Sequence, residues 1–221
     1  MFKMKPIFKS VLFVLSTIIL TFSFLDEEKS LVKIFSDKYE ENFNQLQTQL
    51  VVFKKATKSG HKTKVEKEYK NLRIAYKSLE PFLLYFDPDA VNKNLNGAPL
   101  LKLEENTPGI NVLQPKGLQV MDELMGENLL NFKLLGKNVD ELINKLKHLK
   151  VTLDPSSVTH RMVIELYQLN LIKLMTLEQS GFDTPGTLSG LEDSKVTFTT
   201  INQLIFPYLQ QYSKLKKEVA A

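Results

Sequence analysis

The 221-residue sequence contains no cysteine. That absence excludes disulfides, a thiol nucleophile and a lipoprotein anchor, and it excludes covalent c-type haem, whose attachment needs a Cys-x-x-Cys-His motif. Arginine is nearly missing as well, with Arg73 and Arg161 alone in the chain. Nucleic-acid sites concentrate arginine and cluster their positive charge, whereas the lysines here are spread along helix faces, so no nucleic-acid partner is expected. The three histidines, His61, His148 and His160, have no second histidine or carboxylate at a metal-ligand spacing. No zinc or di-iron site is therefore legible, and each histidine is expected at a surface or a helix end. There is no Gly-x-Ser-x-Gly elbow, no phosphate-binding glycine loop and no dinucleotide fingerprint. No segment alternates with period two over a length that would build a sheet.

The N-terminus reads as a targeting segment. Lys3, Lys5 and Lys9 precede an apolar run from Val11 to Leu25, which stops at Asp26-Glu27-Glu28. The run is shorter than the ~20 residues a spanning helix needs, so residues 1–25 are expected to be a secretory signal. The alternative is an uncleaved signal anchor, since residues 21–25 lack a small-x-small site. The chain is accordingly expected in the periplasm or otherwise exported, touching a membrane only through that segment. Residues 26–221 are expected to form a single helical domain. The net charge of +4 invites a basic-partner reading. Three of those lysines belong to the leader, however, and the remaining 26 basic and 25 acidic side chains leave +1.

What the mature region does contain is helical periodicity. Leu31, Ile34, Phe35, Tyr39, Phe43, Leu46, Leu50 and Phe53 recur at steps of three and four, predicting a helix over about 30–56. A second helix begins near His61 and carries Val65, Tyr69, Leu72, Tyr76, Leu79, Leu83 and Phe86 inward, with a kink expected at Pro81. Residues 92–115 hold Asn96-Gly97, Pro99, Thr107-Pro108-Gly109 and Pro115, and form a long irregular segment. Asn92 to Leu103 has the outline of a calcium loop but lacks its first aspartate and its twelfth-position glutamate, so no calcium is expected. Further helices are predicted over about 138–149, from the Asp154-Pro155 start signal to Gly181, and from the Ser189-Gly190-Leu191-Glu192 capping box through Phe198, Ile205 and Tyr212. The fold expected is an all-α bundle of about five or six main helices with one long crossing segment.

The stretch from Pro115 to Glu123 turns that irregular segment into a helix carrying Gln119, Asp122 and Glu123 at i, i+3 and i+4. Leu118, Met121, Leu124 and Met125 make the helix largely buried, so its polar groups need partners. The candidates lie on the second helix, which carries Tyr69, Arg73, Tyr76, Lys77 and Glu80. Arg73, Tyr76, Lys77, Glu80, Gln119, Asp122 and Glu123 are the candidate polar centre or ligand-binding site, with Arg73, Lys77 and Glu80 expected to satisfy Gln119, Asp122 and Glu123.

Three runs carry a family resemblance: Arg73-x-x-Tyr76-Lys77-x-x-Glu80-Pro81-Phe82-x-x-Tyr85-Phe86, then Asn96-Gly97-x-Pro99-Leu100-x-Lys102-x-Glu104, then Pro115-x-Gly117-Leu118-Gln119-Val120-x-Asp122-Glu123. Together they resemble the N-terminal helical domain that precedes the di-haem part of some bacterial cytochrome c peroxidases. That domain is itself similar to imelysin, an exported helical family with a Gly-x-His-x-x-Glu motif. The resemblance implies an imelysin-like bundle and a di-haem peroxidase core as partner. Against the imelysin motif, Gly117 matches, Gln119 stands at the histidine and Asp122 at the glutamate. A neutral amide is a poor metal ligand and no general base. The expectation is therefore an exported, non-catalytic accessory or interaction domain without metal or cofactor. The alternative is an imelysin-type module binding a metal, haem or small ligand, or acting as a peptidase.

Overall fold

The structure is a computed structural model. It describes residues 6–97, 102–103, 112–113, 116–152 and 158–220, with side chains described at 31–97, 116–149 and 158–213. The chain is an all-α bundle. Its helices are α1 (Pro6–Ser59), α2 (Lys62–Phe86), α3 (Pro88–Ala90), α4 (Leu118–Gly126), α5 (Phe132–Thr152), α6 (His160–Lys173) and α7 (Gly190–Ala220). Two π turns, Val91–Leu95 and Leu174–Glu178, extend α3 and α6. A two-residue antiparallel pair joins β1 (Lys102–Leu103) to β2 (Val112–Leu113).

The turn at Gly60 folds α2 back on α1, and the aromatic stripes interlock. Phe35 meets Phe82 at 4.9 Å and Phe86 at 6.1 Å, Tyr39 meets Phe82 at 5.7 Å, and Phe53 meets Tyr69 at 5.7 Å. The middle of α1 thus faces the end of α2 and the end of α1 faces the first half of α2, which is the antiparallel arrangement a two-residue connection dictates. Phe35, Phe43, Phe53, Leu72, Leu79 and Phe82 are buried almost completely, each contributing roughly 1.5–3 kcal/mol of burial. α5 covers α1, while α6 and α7 pack on α2, which makes α2 the central helix. Asn170 on α6 fixes one such contact by donating to the Pro81 carbonyl at 3.2 Å.

Several boundaries differ from the periodicity. α1 extends in both directions beyond residues 30–56, and α5 begins at Phe132, running straight through Gly136, since an isolated glycine is tolerated within a packed helix. α6 starts at His160, where the Thr159 hydroxyl accepts from the Met162 amide. The Asp154–Ser157 start signal lies outside the described residues. α7 does begin at Gly190, but the Ser189 hydroxyl lies 3.0 Å from that of Thr187. Residues 92–95, the start of the segment expected to be irregular, are helical, completing the π turn that follows α3. The leader expected at residues 1–25 lies outside the residues whose side chains are described. Among the described residues no helix is long and apolar enough to cross a membrane.

Candidate functional site

The polar centre is built on α2. Arg73, Tyr76, Lys77 and Glu80 interrupt its apolar stripe at steps of three and four, and all four are buried. Burying ionised groups is costly unless they are paired and hydrogen-bonded, so the rest of the site is determined by what can reach them. Lys77 Nζ contacts three carboxylates: Glu80 Oε2 at 2.8 Å, Asp183 Oδ2 at 2.9 Å and Glu178 Oε1 at 3.0 Å. Lys173 Nζ contacts the same three from the other side, with Glu80 Oε1 at 2.6 Å, Asp183 Oδ2 at 3.3 Å and Glu178 Oε1 at 3.4 Å.

Two ammonium groups against three carboxylates leave one surplus negative charge inside the protein. Neutral donors spread it. Tyr76 donates to Glu80 Oε1 at 2.8 Å, Asn96 to the same oxygen at 3.4 Å, Gln119 Nε2 to Asp183 Oδ1 at 2.8 Å and Thr197 to Glu178 Oε1 at 3.3 Å. The electrostatics follow from that geometry. Burial opposes ionisation of Glu80, but Lys173 and then Lys77 outweigh it and hold its carboxyl far below the usual range. Asp183 is lowered in the same way, burial being overcome by Lys77 and Lys173. Burial also works against the Lys77 ammonium, and Glu80, Asp183 and Glu178 more than reverse it, raising its pKa. Burial, and then the charge on Glu80, push the Tyr76 phenol well up, so it stays a donor.

Two local devices bring distant residues here. A π turn closes its hydrogen bond five residues back; in Leu174–Glu178 this sets Glu178 on the same side as Lys173, five residues earlier, so that both reach Lys77's cluster and each other. The 186–189 segment, just before α7, is pulled against α4 by Asp122. Its Oδ2 accepts from the amides of Gly186 at 2.8 Å and Thr187 at 3.1 Å, and its Oδ1 from the Thr187 hydroxyl at 2.5 Å and from Tyr69 at 3.4 Å. The approach is so close that a Cβ on Gly186 would sit 2.1 Å from the Asp122 carbonyl oxygen. Gly117 has a similar role at the start of α4, with φ of +100° and its backbone against the Leu95 carbonyl.

The expected partnerships are therefore corrected. Arg73 and Lys77 do not reach Gln119, Asp122 or Glu123. Arg73 pairs with Asp193 of α7 through Nε at 3.1 Å and through Nη2. Gln119 serves Asp183, Asp122 serves the 186–187 backbone, and Glu123 is exposed. The i, i+3, i+4 spacing made the three neighbours, but adjacent positions on a helix diverge by about 100°. Burial of Leu118, Met121 and Met125 turns Glu123 outward.

Lys173, Glu178, Asp183 and Asp193 were not identified from the sequence. One signal was available: the buried positions of α6 are Val163, Leu166, Asn170 and Lys173, so a lysine occupies a step where the stripe calls for an apolar residue. Chemically, the centre is a sealed ion cluster. Glu80, Glu178 and Asp183 offer oxygens within 4.8 Å of one another, a spacing that suits a divalent ion, but the lysine ammonium groups take the contacts such an ion would make. A general base needs a pKa near the working pH, and Glu80 and Asp183 are held away from it.

Comparison with protein-family models and with curated proteins finds no match.

Proposed function

We propose that the chain is an exported, non-catalytic helical accessory domain that packs on a di-haem cytochrome c peroxidase core carried by another polypeptide. One observation carries the interaction role, while export and the peroxidase core as partner rest on the N-terminal pattern and the sequence resemblance. The α6–α7 hairpin leaves large apolar side chains in water: Ile172, Met175, Phe182, Leu188 and Leu191 are between 51% and 79% exposed, all within residues 172–191. Clustered exposed apolar groups mark interaction surfaces, and this cluster stands on the segment that the buried ion cluster anchors. The sealed polar centre supports a structural role for Lys77, Glu80 and Asp183. The imelysin-type alternative would need Gln119 and Asp122 to present ligand oxygens; Asp122 uses both of its own on Gly186, Thr187 and Tyr69, and Gln119, whose Oε1 has no partner among the described residues, is held in place through Nε2 by Asp183.

The test is size-exclusion chromatography of the purified chain with a di-haem peroxidase core from the same cells. Co-elution is expected, and a Met175→Asp/Leu191→Asp variant of unchanged helicity should elute alone. Separate elution of the unaltered chain would overturn the proposal.

A further inference from the structure

A cleft of about 540 Å³ opens between the first half of α2, the end of α4 and the start of α7. That volume lies within the roughly 300–1,000 Å³ of small-molecule sites. Arg73 forms part of its wall. The residue is 2% exposed, and Asp193 occupies its Nε and Nη2, yet Nη1 has no hydrogen-bond partner among the described residues. A buried guanidinium N–H left unpaired is destabilising, and an incoming oxygen acceptor would satisfy it. Beside it, Ser189 immediately precedes α7. The positive dipole end of a helix N-terminus favours negative charge, which here is shared with Glu192 and Asp193 of the first turn.

The rest of the wall limits what that acceptor belongs to. Ile74, 43% exposed, and the side chains of Met125 and Tyr69 offer apolar surface. At the rim Lys67 and Lys70 are balanced by Glu66 and Glu192. A polyphosphate would meet no net positive field, whereas a single carboxylate on an apolar body would match both the buried donor and the walls. The geometry points to a binding site for a small organic acid, its carboxylate on Arg73 Nη1 and its apolar part against Ile74 and Met125. The site goes beyond the accessory role and is independent of it, since it lies on α2, α4 and the first turn of α7 and needs no second protein.

Indole-3-acetate is a suitable probe, because the chain has no tryptophan and indole emission reports the ligand alone. Titration of the full chain should give a saturable blue shift, with the neutral indole-3-acetamide bound about tenfold more weakly. Arg73→Lys, which removes Nη1, should weaken indole-3-acetate by about the same factor. Because Arg73 is buried and that variant could fail to fold, Ile74→Glu is the second arm. It alters an exposed wall position, should leave the circular dichroism unchanged and should also cost about tenfold in affinity. Absence of a saturable shift, equal binding of the amide, or full affinity in Ile74→Glu would each overturn the assignment. None of these outcomes depends on the peroxidase core.

Discussion

Within the ion cluster, the two signs of charge are not equivalent. Glu80→Gln removes one of three negative charges facing two ammonium groups, so the formal charge becomes balanced, and the loss is confined to the contact in which an amide nitrogen faces Lys77 Nζ. Lys77→Met instead leaves three buried carboxylates with Lys173 as their remaining ammonium partner. Removing one partner of a buried charge pair costs about 3–5 kcal/mol, while losing a charged hydrogen bond costs roughly 1–3 kcal/mol. Urea unfolding should therefore rank Lys77→Met as clearly more damaging than Glu80→Gln. The reverse order would mean that the surplus negative charge is not held by Tyr76, Asn96, Gln119 and Thr197 as described.

Among the elements, α4 and the start of α7 depend on each other. Asp122 reaches the Gly186 and Thr187 amides because residue 186 has no side chain to hold the backbones apart. Gly186→Ala should force the segment off α4 and break these bonds, with a loss of about 2–4 kcal/mol, in the range of overpacking plus an unpaired carboxylate. Asp122→Ala should produce part of that loss with no backbone clash, about 1–3 kcal/mol. Hydrogen exchange would separate the two: both variants should speed exchange at the Gly186 and Thr187 amides, and α2 amides should stay protected in both. Unchanged exchange at residues 186–187 in Asp122→Ala would contradict the bonding described.

For the whole molecule, the shifted ionisations set a pH window. Glu80 and Asp183 have lowered pKa values in the folded chain, so the unfolded chain binds their protons first as acid is added. Their contribution is complete above the ordinary carboxylate values near 4 and is lost as pH falls below them toward the folded values. Lys77 is raised, so its contribution is complete below the ordinary lysine value near 10.4 and is lost as pH rises beyond it. Thermal melts should show a plateau between these limits and a fall on both sides. Lys77→Met should flatten the alkaline side; an unaltered alkaline limb in that variant would assign it to other groups.

The sequence by itself determined the all-α class and the inward faces of the main helices, because a 3.6-residue period is a local property that each segment carries alone. It also marked Gln119 and Asp122, since polar groups on a largely buried helix need partners, and it marked Arg73, Tyr76, Lys77 and Glu80 as the candidates to supply them. It could not assign their partners. Lys77 meets Glu178 and Asp183 across separations of 101 and 106 residues, and periodicity says which face turns inward but not which helix it will meet. Nor could spacing place Glu123, which shares a turn with Gln119 yet is rotated into water by the packing of its neighbours. The π turn that lines up Lys173 with Glu178, and the close approach at Gly186 that gives Asp122 its donors, were decided by tertiary structure, where fitting α4, α6 and α7 around α2 outweighs local helical preference.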